Sequence, residues 1–106
     1  MINANNIYEK LVQAGEAWAD AQHAAELLEE TKKTTLSQLA SESNEGSVAA
    51  TEAFALRHPD FTKHVETMVA ARRAANKAKV RYDSMRVLAE LKRTEAANEC
   101  AANRYA

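Results

Sequence analysis

The sequence predicts an all-α protein: an antiparallel, coiled-coil-like hairpin of two long helices with a short helix at its tip, assembling as a helical-bundle dimer. Three observations predict it. Gly and Pro are nearly absent, two and one in 106 residues, so long uninterrupted elements are expected. Apolar and small residues recur at alternating spacings of four and three, the period of a packed helix face. A single strong loop signal, Ser43-Asn44-Glu45-Gly46-Ser47, divides the chain.

Asn6-Ile7-Tyr8-Glu9 fits a helix start, with the Asn6 side chain accepting a backbone N–H and Glu9 reaching back. A first helix is expected from there to about Ser43, with Gly15 as its weak position. Its stripe comprises Ile7, Leu11, Ala14, Trp18, Ala21, Ala25, Leu28, Thr35 and Leu39, and Lys32 interrupts it as a charged seam residue that can fix register. Ser47 is placed to cap a short helix through about Arg57. His58-Pro59 then restarts the chain with Pro at a first helical position, and a second long helix is expected to about Arg104. At 1.5 Å per residue the long helices span roughly 55 and 65 Å. The short connection makes them antiparallel neighbours, and Gly15 with the Ala-rich seam lets two backbones approach closely. The whole chain, residues 1–106, reads as one domain.

Charge is distributed unevenly. Residues 1–52 carry three Lys and nine acids, whereas residues 53–106 carry eleven Lys or Arg and six acids. An acidic half followed by a basic half suggests mutual pairing, within one chain or between copies. The run RRAANKAKVRYDSMRVLAELKR, residues 72–93, holds eight of the bases and two acids. On a helical wheel Arg72, Asn76, Lys79, Asp83, Arg86, Glu90 and Arg93 share a face, which reads as an ion-pair ladder within one helix. The remaining bases, Arg73, Lys77, Arg81 and Lys92, form a row with no acid among them and are the candidate basic binding row. That row lies between two apolar stripes. One is Val69, Val80, Val87 and Leu91; the other is Ala71, Ala74, Ala78, Tyr82, Met85 and Ala89. A helix with one neighbour needs one stripe, so Val69, Val80, Val87 and Leu91 are the candidate oligomer interface. A two-helix hairpin alone would barely offset a backbone entropy cost of about 1–2 kcal/mol per residue. The basic row can then meet Glu9, Glu16 and Glu30 of another copy.

No catalytic or cofactor-binding motif is present. The sequence has no Gly-rich phosphate loop, no G-x-S-x-G and no H-E-x-x-H, so a non-enzymatic protein without cofactors is expected. Asp60 and His64 stand four apart on one helix face but lack a second ligand pair, and read as a surface cluster rather than a metal site. Cys100 is alone, with no nearby base to activate it. Glu29-Glu30 and Lys32-Lys33 read as a solvated face, and Trp18 as a core anchor. Phe54, Leu56 and Phe61 flank the His58-Pro59 break. They either pin the short helix to the hairpin tip or, if exposed, form a docking patch. No basic-then-apolar leader and no apolar run of about 18 residues is seen, so membrane insertion and export are not expected and a cytoplasmic location is.

The run MVAARRAANKAKVRYDSMRVLAELKR, preceded by AGEAWADAQHAAELLEETKK, resembles small all-helical proteins encoded by tailed bacteriophages and prophages. The resemblance covers most of the chain and is one of texture. It implies an accessory protein of phage DNA metabolism or host takeover, acting in the host cytoplasm on a host or phage protein. It carries over no functional residue. Secreted helical hairpins of the WXG type differ, because their Trp-x-Gly sits in the turn, whereas here Trp18 lies mid-helix. The expected partners are a second copy and a protein target; the competing expectation is nucleic acid bound by the basic row, with Tyr82 offering a stacking face.

Overall fold

A computed structural model describes residues 4–44 and 46–105. The described residues form four helices, α1 (Ala4–Glu30), α2 (Lys32–Ser41), α3 (Val48–Arg57) and α4 (Pro59–Tyr105), and no strand. The protein is all-helical, as the scarcity of Gly and Pro dictates. Gly15 sits inside α1 without a positive φ.

Two boundaries differ from the sequence expectation. α1 begins at Ala4, so Asn6 lies inside the first turn rather than capping it; nothing between residues 4 and 6 forbids helical backbone. The helix expected over 6–43 is divided at Thr31 and ends at Ser41. Thr31 has φ −82° and ψ −3°, and its hydroxyl donates to the carbonyls of Leu27 (2.9 Å) and Leu28 (3.2 Å). A Thr hydroxyl that bonds back onto the preceding turn competes with the backbone ladder and bends a helix.

The other boundaries follow from capping chemistry. Ser47 is extended, and its hydroxyl accepts from the Ala50 N–H at 3.1 Å, the ordinary N-cap bond. α3 ends at Arg57 and is capped by His58, whose ψ of 136° is the extended value imposed on a residue before proline. His58 also opens α4. Its Nδ1 accepts from the Asp60 N–H at 3.1 Å, and its carbonyl accepts from Phe61 and Thr62. A ring nitrogen thus takes the place usually held by a Ser or Asp oxygen, which requires the neutral Nε2–H tautomer.

The chain divides into two compact units: the residues up to Asp20 together with those from Asn76 onward, and Ala21–Ala75. In the second unit α2 packs on α3. The core there is Leu39, Ala55 and Phe61, with Leu36, Ala40 and Val65 against it. In the first unit Ile7, Ala14 and Ala78 are buried, and Trp18 stacks on Tyr82 with ring centroids 5.4 Å apart. All nine residues of the α1–α2 stripe are buried or half-buried, and Lys32 is exposed. On α4 the covered residues include Phe61, Val65, Met68, Ala75, Ala78, Tyr82, Met85 and Ala89, so Ala75 takes the place expected for Ala74.

Candidate interaction surfaces

In the first unit α4 has one satisfied side and one open side. Ala78, Tyr82 and Met85 are covered. Val80 and Val87 lie two residues from Ala78 and Met85, about 160° round the helix, and are 65% and 51% exposed; Leu91 is 56% exposed. A shallow depression of about 490 Å³ is lined by Val80, Asp83, Ser84 and Val87. Lys77 and Arg81 border this face, both exposed. Lys92 is different: its ammonium donates to Glu95 at 3.2 Å. The expectation that Lys92 belongs to an acid-free row is therefore corrected, because an acid three residues on falls within its reach.

The opposite side of that stretch of α4 meets α1. Gly15 allows the Tyr82 ring to lie close; a Cβ on Gly15 would stand 3.3 Å from Tyr82 Cε2. Trp18 stacks on the same ring at an interplanar angle of 29°, and the Lys79 ammonium lies 5.9 Å from the Trp18 ring centroid, in cation–π range. α1 leaves Tyr8 and Val12 exposed, with Glu9, Glu16 and Asp20 exposed beside them.

The expected ladder on α4 survives only in part. Asp83 and Arg86 approach to 3.8 Å. Lys79 turns to Trp18, and Arg72 leaves its own helix for Glu29. In the second unit Arg72 Nε donates to Glu29 Oε1 at 2.8 Å and Nη2 to Oε2 at 2.9 Å. This two-pronged contact holds the Glu29 carboxyl below its usual 4.5, against the opposing effect of desolvation, and pushes the Arg72 guanidinium up. Glu29 is therefore a paired residue and not part of a merely solvated face.

His64 and Asp60 do not form the expected surface cluster. His64 is half-buried. Its Nε2 donates to the Leu28 carbonyl at 2.9 Å, and Thr35 Oγ1 lies 3.5 Å from Nδ1, so the Nε2–H tautomer satisfies both nitrogens. The carbonyl it meets is one that Thr31 also engages at the helix break. Among the described residues no three His, Cys, Asp or Glu side chains converge in a way that would hold a metal ion. Cys100 is exposed.

The expected patch of Phe54, Leu56 and Phe61 is split. Phe61 is 8% exposed and belongs to the core; Phe54 is half-buried and sets its ring edge to His58 at 5.8 Å. Only Leu56 is open. The alternation along α3 and α4 sends both phenylalanines inward, so they pin α3 to its neighbours. Leu56 instead lines a groove of about 540 Å³ with Leu36, Ala40 and Ala55, flanked by Lys33 and Glu52. Sequence reasoning missed this groove, although Lys33, Leu36, Ser37 and Ala40 stand at i, i+3, i+4 and i+7, one helix face. Val69 and Arg73, the members of the expected interface and basic row that fall in this unit, are exposed.

No helix among the described residues is long and apolar enough to cross a membrane. Comparison with protein-family models, curated proteins and solved structures finds no match.

Proposed function

We propose that the chain is a non-enzymatic helical interaction module that self-associates and works by binding another protein, as an accessory factor of the phage or prophage type directed at a host or phage target. On this reading its long helices form an antiparallel hairpin, and copies assemble into a helical bundle. One observation carries it. Val80, Val87 and Leu91 stand open on a helix whose other side is already covered, while the buried set is thin. Five of the eight buried apolar residues among those described are alanine, and no large side chain is fully buried. Alanine buries little surface, so a partner helix supplies what the chain lacks. The antiparallel sense has support within the second unit, where Thr35 reaches His64 and Glu29 reaches Arg72: partners rise along α4 as they fall along α1 and α2. Sedimentation at several concentrations tests the reading. The expected result is a reversible dimer or larger species, weakened by Val80→Asp with Val87→Asp; a stable monomer throughout would overturn it.

A second reading, an accessory nucleic-acid-binding factor using Arg73, Lys77, Arg81 and Lys92, is favoured by one fact: Arg73, Lys77 and Arg81 are exposed with no acid partner among the described residues. It requires DNA or RNA binding whose affinity falls steeply with salt and is lost on replacing those three residues by Ala.

A further inference from the structure

We propose that the surface covering the Val80–Val87–Leu91 face is the Tyr8–Val12 face of α1 in a second copy of this chain. The proposal rests on the self-association reading above and gives it a specific geometry. Two apolar strips lie open in the first unit, one on α4 and one on α1. Their charged borders are opposite in sign. Lys77 and Arg81 border the α4 strip, whereas Glu9 and Glu16 border the α1 strip, within about 60° of Val12 on the helix. All four are exposed, and none has an ion partner among the described residues. On the far side of the α4 strip stand Asp83, already engaged by Arg86 at 3.8 Å, and the exposed Glu90, so the basic border is the Lys77–Arg81 side alone.

Because each strip faces away from its own α1–α4 contact, the pairing is head-to-tail: α4 of one copy meets α1 of the next, and the contact repeats around a ring or along an array. Both strips of every internal copy are then covered. Packing α4 on a second α4 does less. It leaves Tyr8, Val12 and the acids of α1 unanswered, and in the antiparallel sense it sets the two basic borders against each other, which like charge opposes.

Charge reversal tests the pairing at low salt, where border charges are felt. Lys77→Glu with Arg81→Glu in one variant, and Glu9→Lys with Glu16→Lys in another, are each expected to weaken association about tenfold or more, because each contact then brings four like charges together. Mixing the two variants is expected to restore wild-type affinity, since an assembly in which they alternate has opposite charges at every contact. All four positions are exposed, and helicity by circular dichroism confirms that each variant is folded. If wild type associates but either reversal is silent, or mixing gives no recovery, this geometry is overturned while self-association stands. If wild type is monomeric at every concentration, the self-association reading fails first.

Discussion

Glu29 and Arg72 form the cross-helix ion pair that the structure shows in the second unit, and its geometry dictates a pH dependence. Arg72 holds the Glu29 carboxyl below its ordinary 4.5 in the folded chain. A carboxyl that binds its proton less tightly when folded adds stability above that ordinary value and loses it as pH falls through the lower folded-state value. Glu29→Gln is therefore expected to lower the thermal midpoint above pH 4.5, with the gap to wild type closing as pH is reduced further. A gap that does not change with pH would show that the carboxylate charge contributes nothing. This pair was not legible in the sequence. Arg72 and Asn76, Lys79, Asp83 share a helix face, and i, i+4 arithmetic kept Arg72 within α4; which base reaches across depends on how near the facing helix lies. His64 shows the same limit from another side. Its distance of four from Asp60 suggested a surface pair, but three residues after Phe61 it falls on the covered side of α4 and meets the Leu28 carbonyl.

Phe61 and Leu56 separate structural from exposed apolar residues at the scale of elements. Phe61 joins Leu39 and Ala55 where α2, α3 and α4 meet, so Phe61→Ala is expected to cost about 3–5 kcal/mol, a large share of the roughly 5–15 kcal/mol that a domain has. Leu56→Ser removes an open side chain and is expected to change stability by no more than about 0.5 kcal/mol. Chemical denaturation of both variants reads the difference; equal losses would mean that Leu56 is covered in solution. Element order was legible because capping signals are local: Ser47, His58 and Pro59 fall at the observed boundaries. The α1–α2 stripe was legible because a spacing of four and three is a property of the chain itself. The break at Thr31 was not, since Thr is tolerated within helices and its effect depends on the rotamer that turns its hydroxyl onto Leu27 and Leu28.

For the whole molecule the decisive quantity is the mismatch between what is buried and what is left open. With Ala14, Ala25, Ala55, Ala75 and Ala78 making up most of the buried apolar set among the described residues, folding and association are expected to be coupled. A binding equilibrium available only to the folded state raises the melting temperature with protein concentration. Calorimetry over a hundredfold range of concentration is expected to show that rise, and a constant midpoint would uncouple the two. The surplus of apolar faces on α4 was visible in the sequence as two stripes; which stripe faces inward was legible only from the buried Ala78 and the half-buried Tyr82 and Met85.

Trp18 is the chain's only tryptophan, and it rests against Tyr82 and the Lys79 ammonium. Its indole emission consequently originates from a single place, where α1 lies beside α4 in the first unit. Parting those helices would strip the ring of both neighbours at once, giving the protein an intrinsic optical gauge of that contact without any added label.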